Sequence, residues 1–372
     1  MFKITHQDGT ARVGKLKTAH GTIETPFFMP VATRASGKHL TTDDYQNLKA
    51  KAIISNSFLL SLRPGIKTVE KAGGIHQFMN FPEVIFTDCG GFQMSRNIFI
   101  GKSRKGLHFR SPFDGRKVVL TPEKIMNIQL ALNSDVAMML DDMSSYGISK
   151  EKAKEAMENT HHWGKESLQA HQELKKQKKS KQLLFGIVQG NFYPDLREES
   201  AKFINSLDFD GIAIGGVAIG EPKEEMYKAV DAALPYISKE KPRYVMGVGS
   251  PEEMLNLIER GIDCFDSVYP TQNARHSTLF TSTGVICIEK LDYAHDFTPI
   301  EQCCRCHTCR NYTKAYLHHL VKIKEPVAMR LKSIHNLFFI LKLVEEAKKA
   351  IKEGLFAKFK REFFRMFNGK EI

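Results

Sequence analysis

The feature of this sequence that most constrains its fold is an alternation of short apolar runs with longer stretches of helical periodicity. Eight runs have the length and composition of fully buried strands, and they cover residues 27–31, 52–56, 84–87, 136–140, 184–188, 211–214, 244–247 and 264–268. Helix start signals lie between them, such as Thr-Pro-Glu at 121–123 and Ser-Pro-Glu at 250–252, and Gly261 ends the second of these helices. Strands that alternate with helices form a parallel sheet, and eight of them predict an α/β fold of the (β/α)8 TIM-barrel type.

Polar residues stand where several of these runs end. Asp88, Asp141 and Asp266 mark the ends of three runs, Gln189 follows a fourth, and a glycine pair that includes Gly216 follows a fifth. A barrel collects the carboxyl ends of its strands at one mouth, where catalytic groups lie. Each aspartate alone could equally be a helix cap, and the glycines could form a tight turn. Their recurrence at five strand ends favours an active site.

A cluster of four cysteines and one histidine occupies residues 303–309. The chain has seven cysteines, an odd number without the spacing of a disulfide framework, so a metal is the favoured explanation of the cluster. Three thiolates at Cys-x-Cys-x2-Cys spacing and one imidazole from a later helix predict a closed, structural Zn²⁺ site, with one ion per subunit. The predicted ligands are Cys304, Cys306, Cys309 and His335. Cys303 and His307 are alternative ligands, and a redox-active cluster is the alternative to a metal.

The charge of the chain points to a polyanionic partner. Its 372 residues include 54 Lys and Arg against 42 Asp and Glu, a net charge of +12. The segment 311–372 alone holds 14 Lys or Arg against 6 Glu. A basic surface of this size favours nucleic acid, although a solvated helix face also explains the basic tail.

The length suits one barrel and one smaller unit. We expect a catalytic barrel with N-terminal β elements in residues 1–286, and a zinc-binding, mainly helical C-terminal subdomain packed on it in residues 287–372. The sequence has no run of about 20 apolar residues and no apolar signal core at its start, so we expect no membrane contact and a cytoplasmic location.

Six motifs in a fixed order carry a family resemblance that runs nearly from end to end. They occupy residues 87–93, 185–190, 215–221, 242–249, 265–271 and the cysteine cluster followed by 316–320. Together they resemble the queuine tRNA-ribosyltransferases, also called tRNA-guanine transglycosylases. The resemblance implies exchange of guanine at the wobble position of tRNAs with GUN anticodons, those for Asp, Asn, His and Tyr, for a 7-deazaguanine base.

The resemblance also implies roles for two carboxylates. Asp266 is expected to be the nucleophile that attacks the anomeric carbon of the ribose, through a covalent ribosyl-aspartate intermediate. Asp88 is expected to be the general acid for the departing guanine and the base for the incoming one. Breaking an N-glycosidic bond builds positive charge on the sugar and negative charge on the leaving base, so the chemistry needs one ionised and one protonated carboxyl group.

Further positions follow from the same resemblance. Asp141, Gln189 and the Gly216 backbone are expected to hold the Watson–Crick edge of the base, between the side chains of Phe92 and Met246. The remaining base-pocket positions are Val217, Glu221, Met143 and Ile219. Candidate tRNA contacts are Arg275, Gln272, Lys102, Arg104 and Lys105. Members of the family act as homodimers, so we expect a homodimer here.

The sequence departs from the commoner bacterial pattern at several positions. Gln272 stands where an arginine is usual, which bears on the choice of tRNA. Residues 141–145 read Asp-Asp-Met-Ser-Ser and are more similar to the eukaryotic catalytic subunit, whereas Ile219 argues against a larger pocket. The incoming base is therefore open between queuine and its aminomethyl precursor.

Two other functional classes fit part of the pattern. A non-catalytic tRNA-binding subunit would keep the basic surface and the metal cluster, but it has no need of Asp88, Asp141 and Asp266 together. A barrel glycosidase would need paired carboxylates, but the basic tail and the presence of only one tryptophan, Trp163, argue against a sugar-binding site.

Overall fold

The computed structural model describes residues 2–90 and 98–369. Its centre is a parallel barrel of eight strands: Phe27–Pro30, Ala52–Asn56, Val84–Asp88, Val136–Met138, Leu183–Val188, Gly211–Ile214, Arg243–Val245 and Cys264–Ser267. From the second strand onward each strand pairs with the next, and the last pairs with the first in the register Cys264 to Phe27. A bridge between Val31 and Ile54 joins the first and second strands. The predicted fold class is confirmed, and all eight predicted strands are present.

Four predicted strands extend beyond the observed ones, the first and eighth by one residue and the fourth and seventh by two. The fourth was expected to reach residue 140 but ends at Met138. The Met139 N–H still donates to the Phe185 carbonyl of the sheet, whereas backbone groups beyond it bond to a helix. The Leu140 N–H donates to Ser167 Oγ at 3.3 Å, and the Asp142 N–H donates to Thr160 Oγ1 at 2.9 Å. The seventh ends at Val245, before Gly247 takes a positive φ of 80°.

The barrel interior is filled with aromatic side chains. Phe86 lies at its centre and makes edge-on contacts with Phe27, Phe185 and Tyr244, at centroid distances of 5.6 to 6.2 Å. All four side chains are buried. Edge-on aromatic pairs are favourable because the positive ring edge meets the negative ring face.

Helices surround the barrel on its outer side. They are Thr42–Asn47, Ser57–Leu60, Ile66–Lys71, Ile75–Met79, Pro122–Leu132, Lys150–Lys178, Pro194–Ser206, Lys223–Ala233, Pro251–Glu259 and Tyr269–Arg275. The two predicted start signals are confirmed as N-caps: Thr121 Oγ1 accepts from the Lys124 N–H, and Ser250 Oγ accepts from the Glu253 N–H. Proline at the first helical position has no N–H that would need a partner.

Three antiparallel elements are added to the barrel. The strands Phe2–Asp8, Ala11–Thr18 and Gly21–Thr25 precede it. A second three-stranded sheet, Phe99–Ser103, Gly106–Arg110 and Lys117–Leu120, is inserted between the third and fourth barrel strands. A hairpin, Thr278–Thr281 and Gly284–Cys287, follows the last barrel strand.

The C-terminal segment consists of the helices His307–Asn311, Lys314–Lys322, Val327–Lys352 and Phe356–Asn368. Helix Val327–Lys352 joins the barrel through polar contacts. Asn336 accepts from the Phe280 N–H and donates to the carbonyls of Pro270 and Thr278, and Arg330 binds the Asp44 carboxylate at 2.6 and 3.0 Å. The boundary at residues 286 and 287 stays a prediction. None of the described helices combines the length and the apolar character that a membrane span needs.

A buried ion pair joins the N-terminal sheet to the amino-terminal end of the barrel. The Arg12 guanidinium binds the Asp263 carboxylate through both Nε, at 3.1 Å, and Nη2, and both side chains are almost fully buried. Asp263 also accepts from the Arg243 N–H at 2.7 Å and from the Thr25 hydroxyl.

Asp263→Asn should lower the free energy of unfolding by about 3 kcal/mol, because it leaves the Arg12 charge buried without a counterion. Asp231→Asn is the matched control: it removes the partner of Arg260 in a partly exposed pair and should cost less than about 1 kcal/mol. Urea unfolding of the variants measures both. Equal losses of unfolding free energy in the two variants would show that burial does not determine how much the loss of its carboxylate partner costs at Arg12.

Candidate functional site

The barrel brings the predicted carboxylates together at one mouth. Asp88 is the last residue of its strand, and Asp266 is the third residue of Cys264–Ser267. Two strands, Phe27–Pro30 and Ala52–Asn56, separate them around the barrel. Asp88 lies close enough to Asp266 and Asp141 for their negative charges to raise its pKa.

Asp266 is held by two hydrogen bonds to one oxygen. The Tyr244 hydroxyl donates to its Oδ1 at 2.5 Å, and the Gly247 N–H donates to the same atom at 2.9 Å. Burial raises the pKa of Asp266, and these two donors oppose that effect because they favour the charged form. Within the described residues Oδ2 accepts no hydrogen bond. This oxygen is available to a ligand in the mouth.

Asp88 has a different environment. Burial and the neighbouring charge of Asp266 raise its pKa to about 8, and a hydrogen bond from the Gly90 N–H only partly offsets this. Its Oδ1 is buried and has no partner in the described part of the chain. At neutral pH Asp88 therefore holds a proton, while two donors stabilise the charge of Asp266. The two carboxyl groups suit an acid and a nucleophile, respectively.

A second polar group lies beside the carboxylates. Gln189 Nε2 donates to Asp141 Oδ2 at 2.7 Å, and the Cys89 thiol donates to Asp141 Oδ1 at 3.4 Å. Burial raises the pKa of Asp141 to about 6, even with these two donors. The Gly216 backbone packs against the same amide: a Cβ at Gly216, where φ is 63°, would lie 2.4 Å from Gln189 Oε1. Glycine is required here by both the backbone angle and the space.

The remaining predicted base-pocket residues are placed as follows. Val217 is buried next to Gly216, and Met143, Ile219 and Met246 are partly exposed. The Glu221 carboxylate binds its own loop, where it accepts from the Ala218 and Ile219 N–H groups at 2.5 and 2.8 Å. Phe92 lies outside the described residues.

The predicted tRNA-contacting residues lie on two elements. Arg104 and Lys105 are exposed at the turn of the inserted sheet, which Trp163 anchors by donating to the Arg104 carbonyl at 2.8 Å. Lys102 in the same sheet is paired with Asp142 at 2.8 Å and with Glu155 at 3.5 Å. The helix Tyr269–Arg275 carries Gln272, which is exposed, and Arg275, which is partly buried.

The four predicted metal ligands converge. The Sγ atoms of Cys304, Cys306 and Cys309 lie 3.9, 3.6 and 3.3 Å from Nδ1 of His335, and all four ligand atoms lie within 4.8 Å of one another. His335 Nε2 donates to the Phe280 carbonyl at 2.7 Å, which leaves Nδ1 as the ligand atom. Cys303, one alternative ligand, is exposed and not part of this group.

The sequence analysis did not identify two residues that hydrogen-bond to residues of the site. Tyr244 was counted only as part of an apolar strand, although it bonds to Asp266. Arg197, in helix Pro194–Ser206, is fully buried and donates to four backbone carbonyls behind Gln189 and Gly216. The sequence offered two signals for them: a tyrosine within a predicted barrel strand and an arginine on the buried face of a helix.

A third group was also missed. His20 and His76 stack at 3.5 Å and bind the two oxygens of Asp135, which precedes the fourth strand. It therefore lies at the opposite end of the barrel from the mouth. Although burial disfavours its charge, hydrogen bonds from His76 and from the Ile85 and His20 N–H groups lower the pKa of Asp135 to about 2.

Asp88→Asn should raise the thermal unfolding midpoint at high pH. The pKa of Asp88 is higher in the folded chain than in the unfolded chain, so wild-type stability falls as pH rises from about 4 to above about 8, and asparagine removes this loss. The gain should be largest near pH 9 and small near pH 5.

Asp135→Asn is the control with the opposite sign. Its lowered pKa stabilises the folded chain above about pH 4, so this variant should be destabilised there and approach wild type near pH 2. A pH-independent effect of Asp88→Asn would contradict the assignment of a proton to Asp88.

Known proteins match the whole of this chain. The family model described as queuine tRNA-ribosyltransferase matches residues 7–369. Proteins named queuine tRNA-ribosyltransferase from Thermoanaerobacter sp. (strain X514) and Pelotomaculum thermopropionicum are 46% and 45% identical, covering 100% and 99% of this chain and 98% and 99% of their own lengths. One from Geobacillus kaustophilus is 44% identical over 99% of this chain and 95% of its own length. With the barrel, the carboxylate mouth and the Cys3His group in place, the chain belongs to the queuine tRNA-ribosyltransferase family.

Proposed function

We propose that this chain exchanges guanine at the wobble position of tRNA for a 7-deazaguanine base. The observation that carries the proposal is the pair of carboxyl groups at one mouth. Burial raises the pKa of Asp88 to about 8, and its Oδ1 has no hydrogen-bond partner among the described residues, whereas Oδ1 of Asp266 accepts from two donors that favour its charged form. Family membership identifies the substrate class, and the pair supplies the chemistry.

The first step replaces one bond to the ribose by another. The free oxygen of Asp266 attacks the anomeric carbon and forms an ester-like bond, while the bond from that carbon to guanine breaks. Asp88 gives its proton to the departing guanine, which would otherwise leave as an anion. The ribose carries positive character during this step, and the nearby Asp266 carboxylate stabilises it.

The second step runs in the opposite direction. Asp88, now ionised, takes a proton from the incoming base. The base nitrogen attacks the anomeric carbon on the face that guanine left, and the bond to Asp266 breaks. Two displacements retain the configuration of the sugar and need no nucleotide triphosphate.

Base recognition is assigned to the group beside the carboxylates. The guanine edge offers two donors, N1–H and the amino group, and one acceptor, its carbonyl oxygen. Asp141 accepts two donors at once, since a carboxylate has two oxygens. Gln189 and the Gly216 N–H face the acceptor, and Met246 with Phe92 would cover the ring. Base flipping out of the anticodon loop is needed before these contacts form.

The Cys3His group is assigned to one structural Zn²⁺. Three thiolates and one imidazole form a ligand set that zinc prefers. Because these four protein ligands complete a tetrahedral coordination shell, no coordination position is open to a substrate. The ion would hold the cysteine loop to helix Val327–Lys352, and through His335 to the hairpin that carries Phe280. It takes no part in the reaction.

The remaining parts of the proposal concern partners. The substrates are tRNAs for Asp, Asn, His and Tyr, contacted by the exposed basic residues of the inserted sheet and by Arg275 and Gln272. The incoming base is queuine or its aminomethyl precursor, received near Met143 and Ile219. The active form is a homodimer. Within each chain, a boundary at residues 286 and 287 separates the catalytic barrel from the zinc-binding unit.

Asp266→Asn should abolish exchange of labelled guanine into an anticodon stem-loop with a wobble guanine, because the amide cannot form the covalent intermediate. Wild type should form a complex with the stem-loop that survives denaturing electrophoresis, and the variant should not. Asp231→Asn, on the surface, should behave as wild type in both assays. Normal turnover by Asp266→Asn, or exchange into a stem-loop without the wobble guanine, would refute the proposal.

Cys309→Ser should lose the metal, and Cys303→Ser should retain it, since only Cys309 belongs to the ligand group. Elemental analysis of protein purified without chelator should find about one zinc per chain in wild type and in Cys303→Ser. Loss of zinc should lower the thermal unfolding midpoint, because metal binding is coupled to folding. Equal zinc content in the two variants would reject the assigned ligands.

A further inference from the structure

Arg197 is a buried cation that binds only backbone. Its side chain is fully buried, and its four contacts are carbonyl oxygens: Asn191 at 2.6 Å, Gly215 at 2.7 Å, Gly216 at 3.1 Å and Val188 at 3.2 Å. It makes no ion pair within the described residues. A buried guanidinium without a carboxylate partner is costly, so a specific role is expected of it.

The contacts of Arg197 determine where two N–H groups point. In a trans peptide the C=O and the following N–H point in opposite directions. Nη1 holds the Gly215 carbonyl and Nη2 holds the Gly216 carbonyl, so the N–H groups of Gly216 and Val217 point away from the guanidinium. The Gln189 amide, which is bonded to Asp141, lies beside Gly216, since a Cβ at Gly216 would be 2.4 Å from Gln189 Oε1.

Among residues 2–90 and 98–369 these two N–H groups find no acceptor. Gly216 and Val217 are both buried, and neither N–H has a hydrogen-bond partner in the part of the chain that the structure describes. Buried backbone donors are nearly always paired in a folded protein. Two such donors in succession, next to a carboxylate and an amide, indicate a place for an acceptor atom of a ligand.

We propose that Arg197 is a positioning residue that aims the N–H groups of Gly216 and Val217 at the carbonyl oxygen of the bound purine base. The inference rests on the proposed function, in which the base edge lies against Asp141 and Gln189. The base offers one acceptor on that edge, its carbonyl oxygen, and a pair of donors matches it. Arg197 itself touches neither the base nor the sugar.

Arginine has two properties that lysine lacks for this task. Its planar fork reaches the ends of two strands at once, because Val188 and Asn191 flank Gln189 while Gly215 and Gly216 follow the next strand. Its charge also persists: burial lowers the pKa of Arg197 to about 9, still above neutrality. A positive charge on a carbonyl polarises the N–H of the same peptide and makes it a better donor.

The experiment separates this role from general stabilisation by comparing three free bases. 6-Thioguanine replaces only the carbonyl oxygen of guanine, by sulfur, a weaker acceptor, whereas hypoxanthine keeps the oxygen and lacks the amino group that faces Asp141. Equilibrium dialysis with labelled guanine, with the other bases as competitors, gives the affinity ratios for the full-length, metal-loaded protein. The variants are Arg197→Lys and Arg197→Gln.

The control is Arg12→Lys. Arg12 is also buried and also donates to two carbonyls, those of Lys239 and Lys241, but at the other end of the barrel. Arg12→Lys should lower the stability of the fold without changing the affinity ratios of guanine to 6-thioguanine and to hypoxanthine.

Wild type should bind guanine roughly tenfold or more tightly than 6-thioguanine, as expected for two hydrogen bonds. In the Arg197 variants this preference should fall to within about threefold, while the preference for guanine over hypoxanthine should stay at its wild-type value.

Three results would overturn the inference: a wild-type guanine to 6-thioguanine ratio near one, an unchanged ratio in Arg197→Lys, or failure of both Arg197 variants to fold, which would make Arg197 a general stability residue. Failure of the proposed function looks different, because wild type would then neither bind guanine nor exchange it into the stem-loop.

Discussion

Closure of the eight-stranded sheet is the constraint on which the site depends. The register between Cys264–Ser267 and Phe27–Pro30 joins the last strand to the first, and it places Asp266 on the same rim as Asp88. In an open sheet these two residues would lie near opposite edges. Because every strand is parallel, every carboxyl end reaches the same mouth, and residues far apart in the chain share one small volume.

The mouth concentrates groups that oppose folding. Asp88, Asp141 and Asp266 all have raised pKa values, and burial is the first cause in each case. Buried carboxyl groups that repel one another reduce stability, but they create the difference in proton affinity that an acid and a nucleophile need. The aromatic interior of the barrel, with its edge-on contacts around Phe86, supplies favourable packing that offsets this cost.

Much of this architecture could be predicted from the sequence. Buried strands, start signals of helices and the cysteine spacing depend on local composition, and the eight strands and the three cysteines of the Cys3His group came from such local patterns. Tyr244 and Arg197 could not be found in this way. The Tyr244 hydroxyl and the Arg197 guanidinium act through groups that only the tertiary structure brings next to them. The sequence alone does not distinguish these two residues from others in buried strands and helices.

Other differences have physical causes of the same kind. The inserted sheet at residues 99–120 is short and partly exposed, so its apolar pattern is weak. Lys102, a candidate tRNA contact, has Asp142 and Glu155 within 3.5 Å, and only the tertiary structure reveals these partners. The ends of the fourth and seventh strands moved because side chains of a helix and a glycine turn compete with the sheet.

The His335 ring links two parts of the molecule through its two nitrogens. One faces the three thiols and the other holds the Phe280 carbonyl in the hairpin that follows the Asp266 strand. A neighbouring residue on the same helix, Asn336, holds Pro270 and Thr278 on the way to that strand. A metal ion in the Cys3His group, as proposed above, would tie its own supply to the shape of the rim: a cell short of that ion would make chains whose mouth is less well held, even though none of these four residues belongs to the mouth.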